Sequence, residues 1–155
     1  MTCPPNIKLR PAVPPDAAAI AAIVDAAYAK WVPVIGRKPL PMQADYRQAV
    51  LEHQFDLATD QGRIVGLLET MPRADHLWIE NVAVHPDAQG LGIGRLLLQH
   101  AEEKARGLGC PEIRLLTNGA FAANVALYRK YNYAVDREEE FMNGKTVYMS
   151  KKLIR

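Results

Sequence analysis

Residues 82–98 read Val-Ala-Val-His-Pro-Asp-Ala-Gln-Gly-Leu-Gly-Ile-Gly-Arg-Leu-Leu-Leu, and no other stretch constrains the fold as tightly. The β-branched start asks for a strand. A short polar turn and a glycine-dense loop follow, and the loop runs straight into an amphipathic helix. Main-chain N–H groups at the start of a helix have no intrahelical acceptor. They point outward with the positive end of the helix dipole behind them, an arrangement that takes phosphate oxygens. Glycines let an anion reach the main chain without meeting a Cβ.

The spacing narrows the ligand. Gly90, Gly92 and Gly94 alternate, so the dinucleotide pattern G-x-G-x-x-G fits poorly. No Lys-Ser or Lys-Thr follows, which excludes a P-loop. The pattern that fits is Q-x-x-G-x-G, carried by Gln89, Gly92 and Gly94. It resembles the acetyl-coenzyme A loop of the GCN5-related N-acetyltransferase (GNAT) superfamily, and Val82 to Pro86 resembles that family's fourth strand. The resemblance implies that Gln89, Gly90, Leu91, Gly92, Ile93, Gly94 and Arg95 surround the cofactor's pyrophosphate. It also implies that the main chain of Val82, Ala83 and Val84 pairs with the pantetheine arm, as a strand adds to a sheet edge.

The chain has 155 residues, 49% apolar and 23% charged, which suits one globular domain over 1–155. A net charge of +2, spread along the chain, gives no footprint for nucleic acid. No unbroken apolar run approaches the ~20 residues of a membrane span. The start, Met1-Thr2-Cys3-Pro4-Pro5, lacks a signal-peptide layout. The expectation is therefore a cytoplasmic protein away from membranes, with Cys3 and Cys110 as reduced thiols. Nothing in the cysteine and histidine spacing suggests a metal.

Periodicity gives a coarse order of elements. A strand at Ile7–Arg10 precedes an alanine-rich helix that opens at Pro14-Pro15-Asp16 and ends near Trp31. Val32 to Met42, with three prolines, reads as a loop. A helix at Ala44–Glu52 leads into strands at Phe55–Ala58, Arg63–Thr70 and His76–Val84. The helix after the glycine loop runs to Arg106, a strand covers Glu112–Thr117, and a helix covers Ala122–Tyr131. Strands at Tyr133–Phe141 and Thr146–Leu153 flank an Asn143-Gly144 turn. The GNAT family uses the same order. The resemblance thus implies an α/β (α+β) acyl-CoA N-acyltransferase fold: a mixed, mostly antiparallel sheet of six to seven strands, flanked by helices, with splayed central parallel strands.

Acyl transfer from a thioester to an amine needs a neutral amine, a donor for the oxyanion and a proton for the departing thiolate. Asn124 and Tyr128, four residues apart, share a helix face. The run Asn124 to Tyr133 resembles the family's second signature, with Asn132-Tyr133 where Gly-Phe is usual. The match implies that Asn124 contacts the pantetheine arm and that Tyr128 protonates the leaving thiolate. Glu80, a carboxylate in an apolar strand, is the candidate base, on one face with Trp78 and Val82 by the period-two rule. The acceptor site is expected around Tyr28, Trp31, Arg37 and Tyr46, with Arg37 able to pair a carboxylate. The function expected is an acetyl-coenzyme A-dependent N-acetyltransferase that acts on a small-molecule or peptide amine by direct transfer. The alternative is a non-catalytic acyl-coenzyme A-binding module, which needs neither Tyr128 nor Glu80. Homodimers are common in the family, but no residue of this chain bears on that point.

Overall fold

The computed structural model describes residues 6–153, so Cys3 lies outside the described residues. The elements are β1 (Ile7–Pro11), α1 (Ala17–Tyr28), α2 (Val32–Ile35), α3 (Tyr46–Glu52), β2 (Gln54–Asp60), β3 (Arg63–Pro72), β4 (Leu77–Val84), α4 (Ile93–Gly107), β5 (Glu112–Asn118), α5 (Ala122–Lys130), β6 (Ala134–Phe141) and β7 (Gly144–Lys152). The seven strands form one sheet in the order β1-β2-β3-β4-β5-β7-β6. All neighbours are antiparallel except β4 and β5, which run parallel.

Helices cover both faces. α1 buries Ile20, Ile23, Val24, Ala27 and Tyr28, one stripe at helical spacing, against Leu57, Leu67 and Ala83 of the sheet. α4 buries Ile93, Leu97, Leu98, Ala101 and Ala105 on the other face, where it meets Leu68, Leu77, Ile113 and Tyr128. At Gly66 the strand and α4 come very close. A Cβ there would stand 3.1 Å from the Ala83 carbonyl oxygen and 3.2 Å from Ile93 Cγ2. This missing side chain lets the start of α4 settle onto β3 and β4, which fixes where the glycine loop sits.

Several expectations change in detail. Val32–Ile35 is a helical turn with Pro33 at its start, where proline's missing N–H costs nothing. Leu40–Gln43 forms a 3-10 turn. The second helix begins only at Tyr46, because Asp45 caps it and accepts from the N–H groups of Arg47 and Gln48 at 3.0 and 3.4 Å. The last hairpin turns at Met142-Asn143, one residue early, with φ of 47° and 63°, and Gly144 instead pairs with Phe141. Asn132 does take the left-handed place of a helix-ending glycine, at φ 72°. The Tyr133 N–H closes the motif by donating to the Tyr128 carbonyl at 3.0 Å.

Pro14–Ile35 is, by length and mean hydropathy of 1.5, apolar enough to cross a bilayer. A search for unbroken runs misses it because Asp25 and Lys30 interrupt it. In the fold the segment is α1, α2 and their flanking 3-10 turns, and Ile20 and Val24 are fully buried in the helix–sheet interface.

Candidate active site

The two parallel strands part company early. β4 pairs with β5 only from Leu77 to Ile79, opposite Ile113 to Leu115. Beyond Ile79, the main chain of β4 that faces β5 has no strand partner. Immediately past that edge comes the glycine loop. Gly90 and Gly92 sit at φ 81° and 82°, and Gly92 is the N-cap of α4. Among the described residues no main-chain carbonyl accepts from the N–H groups of Gly90 to Arg95. Six-membered rows of free donors do not survive in a folded interior, so these donors await water or an anion.

Loop and strand edge border one cleft of about 360 Å³, which also takes in Asn124, Leu127 and Tyr131 of α5 and its C-terminal end. Val82, Ala83, Val84, Gln89, Gly90, Gly92, Ile93, Gly94, Arg95 and Asn124 all line it, so the fold brings these expected cofactor residues together. Gln89 also donates to the Val84 carbonyl at 3.3 Å, tying the loop to the strand end. Leu91 does not line the cleft; it packs on the core beneath α4. Lys30 and Lys130 stand on its wall. The sequence marked neither, because isolated lysines on helices read as solvated surface.

A bulge governs Glu80. Glu69 pairs with Asn81 and Thr70 with Ile79, so Glu80 is the extra residue. Trp78 Nε1 donates to Glu80 Oε1 at 2.9 Å, which keeps those two together. Val82, however, packs in the α4-side core, while Asn81 turns toward α1 and α3. The period-two rule fails here because the inserted residue resets the alternation.

Asn81 is buried within a hydrogen-bond chain. The Tyr28 hydroxyl donates to Asn81 Oδ1 at 2.8 Å. Asn81 Nδ2 approaches the Tyr46 hydroxyl at 3.5 Å, and that hydroxyl donates to the Pro41 carbonyl at 2.7 Å. Tyr46 therefore braces the loop from behind and lines neither cavity. Burial, together with the nearby Tyr128, Tyr46, Glu69 and Glu80, pushes the Tyr28 phenol well above its ordinary value. Those neighbours come from α5, α3, β3 and β4, so five elements converge on one spot.

Glu69 is 3% exposed and lies 2.6 Å from His53 Nδ1. Its pKa is raised from 4.5, first by burial, and the His53 contact only partly offsets this. The native state therefore holds this proton more tightly than the unfolded chain. Stability conferred by that proton is full below pH 4.5 and is lost as pH rises through the elevated native value. Urea midpoints of wild type and Glu69→Gln, compared from pH 4.5 to 6, should show the wild type losing stability relative to the variant as pH climbs. A constant difference across the range contradicts this.

A second cavity of about 100 Å³ abuts the first. Glu80, Arg37 and Tyr28 line it, with Ile35, Leu40 and Phe121 among their neighbours. Tyr28 lines both spaces. Trp31, expected at the acceptor, faces the first cleft instead. It stacks on Phe121 at 4.8 Å and 19°, so Trp31, Phe121 and Tyr28 form the partition. Phe121 was missed: one aromatic before a helix carries no signal of its own. Tyr128 is buried and lines neither space. Its hydroxyl has no partner among the described residues, yet it is not sealed in as the Tyr133 hydroxyl is. Burial pushes its pKa up to about 12. Among the described residues, no three His, Cys, Asp or Glu side chains gather as metal ligands would.

Residues 20–133 match the profile of the acetyltransferase (GNAT) family. The chain belongs to the GNAT family. This GNAT protein is 31% identical over 75 residues to the [Ribosomal protein bS18]-alanine N-acetyltransferase of Escherichia coli K12, 48% of this chain and 51% of that one. It is 39% identical over 56 residues to an IAA acetyltransferase of Azospirillum brasilense, 36% of this chain and 37% of that one. The matches thus span about half or less of these relatives. In structure it resembles the PaiA N-acetyltransferase of Thermoplasma acidophilum, solved in complex with coenzyme A. The TM-score is 0.80 at 17% identity, covering 96% of this chain and 99% of that one. A GCN5-related N-acetyltransferase from Rhodopseudomonas palustris gives 0.79 at 24% identity, covering 99% and 98%. These likenesses establish the seven-stranded GNAT fold.

Proposed function

We propose that this GNAT protein is an N-acetyltransferase that moves an acetyl group from acetyl-coenzyme A to a primary amine in a ternary complex. The free N–H groups of Gly90 to Arg95, opening into the cleft bordered by the unpaired β4 edge, carry this reading. A pyrophosphate satisfies such donors, and an amide-bearing arm completes such an edge. Acetyl-coenzyme A supplies an acyl carbon already activated as a thioester.

The chain's own groups then have distinct tasks. An alkylammonium has a pKa near ~10.4, so a base must take its proton; Glu80, at the mouth of the second cavity, is placed to do so directly or through water. Main-chain N–H groups of β4 past Ile79 face the gap and can hold the oxyanion. The Tyr128 hydroxyl, protonated at working pH, donates to the sulfur as charge builds there. One N–C bond forms and the C–S bond breaks. The ammonium gives up two protons, the thiol keeps one, and one is released. Cys110 is buried and lines neither cavity, which supports direct attack over an acyl-cysteine route.

Thiol release from acetyl-coenzyme A in the presence of a panel of amines tests this. Amine-dependent release with an acetylated product is expected. Calorimetric binding of coenzyme A with no release for any amine would overturn catalysis and leave a binding module. The protein is further proposed to work in the cytoplasm as a single domain.

A further inference from the structure

We infer that the acceptor is a free α-amino acid with an apolar side chain, held by Arg37 at its carboxylate and by Glu80 at its amine. This rests on the proposed acetyl transfer and names the substrate class at the same site. The second cavity, of about 100 Å³, adjoins the cleft at Tyr28. Its lining holds one carboxylate, Glu80, and one guanidinium, Arg37, among apolar Ile35, Leu40 and Phe121 and polar Thr117 and Asn118. Glu80 lies where the β4 edge opens, beside the reaction centre. Arg37 lines the same cavity from the segment after α2.

Among the described residues, no carboxylate pairs with Arg37. Its only hydrogen bond among the described residues is to the Lys38 carbonyl at 3.4 Å. The residue is partly buried, its guanidinium has donors to spare, and its fork fits a carboxylate with two hydrogen bonds. The segment that carries it is braced beforehand. Gln43 Nε2 donates to the Lys38 carbonyl at 2.8 Å, and the Met42 N–H donates to the Pro39 carbonyl at 3.0 Å. The Tyr46 hydroxyl anchors Pro41. Such support holds a binding group in place before the ligand arrives.

The rim selects the side chain. Leu40, Leu116 and Phe141 remain 53%, 46% and 45% exposed, although all three line the cavity. Large apolar groups clustered around a concavity mark a binding surface. An ammonium and a carboxylate on one carbon satisfy Glu80 and Arg37, and an apolar side chain covers this rim. A peptide N-terminus has the amine but no carboxylate at that position.

The test is acetyl-coenzyme A-dependent thiol release with L-leucine, L-leucinamide, 3-methylbutylamine, L-aspartate and a leucyl peptide. For wild type, kcat/KM for leucine should exceed each of the others at least tenfold. In Arg37→Gln the preference for leucine over leucinamide should collapse, chiefly through a higher KM for leucine. Arg37→Lys, which keeps the charge without the fork, should restore part of it. Coenzyme A binding by calorimetry reports that each variant is folded. Equal or better use of leucinamide, the amine or the peptide overturns the inference and leaves acetyl transfer standing, as does an unchanged preference in Arg37→Gln. Failure to release thiol with any amine overturns both.

Discussion

Gly94→Glu is expected to weaken coenzyme A binding by at least 100-fold without weakening the fold. The position is the second residue of α4, and a Cβ there meets nothing closer than Leu127 Cδ2, at an ordinary 3.7 Å. Replacing glycine inside a helix gains roughly 0.5–1 kcal/mol. A carboxylate in the first turn gains about 0.3–1 kcal/mol more from the helix dipole. The same carboxylate occupies the space offered to the pyrophosphate and takes up the charge-favourable position itself. A 100-fold loss corresponds to about 2.7 kcal/mol, a modest figure for replacing attraction by like-charge repulsion at contact range. Calorimetry with coenzyme A and a thermal melt of the same sample decide it. Unchanged affinity in a folded variant places the phosphates elsewhere.

Tyr128→Phe should lower kcat about 100-fold and leave coenzyme A affinity within twofold of wild type. With burial pushing the phenol's pKa up to about 12, the proposed task is hydrogen-bond donation rather than full proton transfer. A thiolate of pKa roughly 8.5 is a weaker base than this phenolate, so outright transfer of the proton runs uphill. The hydroxyl instead donates a hydrogen bond to the growing charge on sulfur, an interaction worth about 1.5–3 kcal/mol. Because that bond strengthens only as the C–S bond breaks, its loss falls on kcat. The kcat profile of wild type should accordingly show no falling limb from Tyr128 across the range where enzymes are assayed. Steady-state kinetics at saturating cofactor test both points. A variant with unchanged kcat removes Tyr128 from the chemistry and turns attention to Tyr131, which lines the cleft.

The sequence disclosed the phosphate loop and the element order because both are local. Alternating glycines between a β-branched strand and a leucine-rich helix state their conformation within a few residues. What stayed hidden depends on pairing across the sheet. Nothing in Trp78-Ile79-Glu80-Asn81 announces that one residue is surplus to β3, yet this bulge puts Val82 on the face of Leu77 and Ile79 rather than on the opposite one. Which cavity Trp31 lines is hidden for a related reason. Its side is set by stacking on Phe121, ninety positions away in effect and invisible to any window. Three prolines make Val32–Met42 look like loop, but proline is accepted in a helix's first turn, which is where Pro33 sits in Val32–Ile35.

The early parting of β4 and β5 has one more implication. A sheet ordinarily exposes open main-chain groups only at its two outer margins, whereas this one also carries an open seam through its middle. Without a small molecule threaded into it, that seam is a template on which an extended segment from another copy can pair wrongly. Occupancy by the cofactor closes it. On the proposed reading the cofactor therefore doubles as a structural filler, and light scattering should show more self-association in preparations stripped of it than in those saturated with coenzyme A.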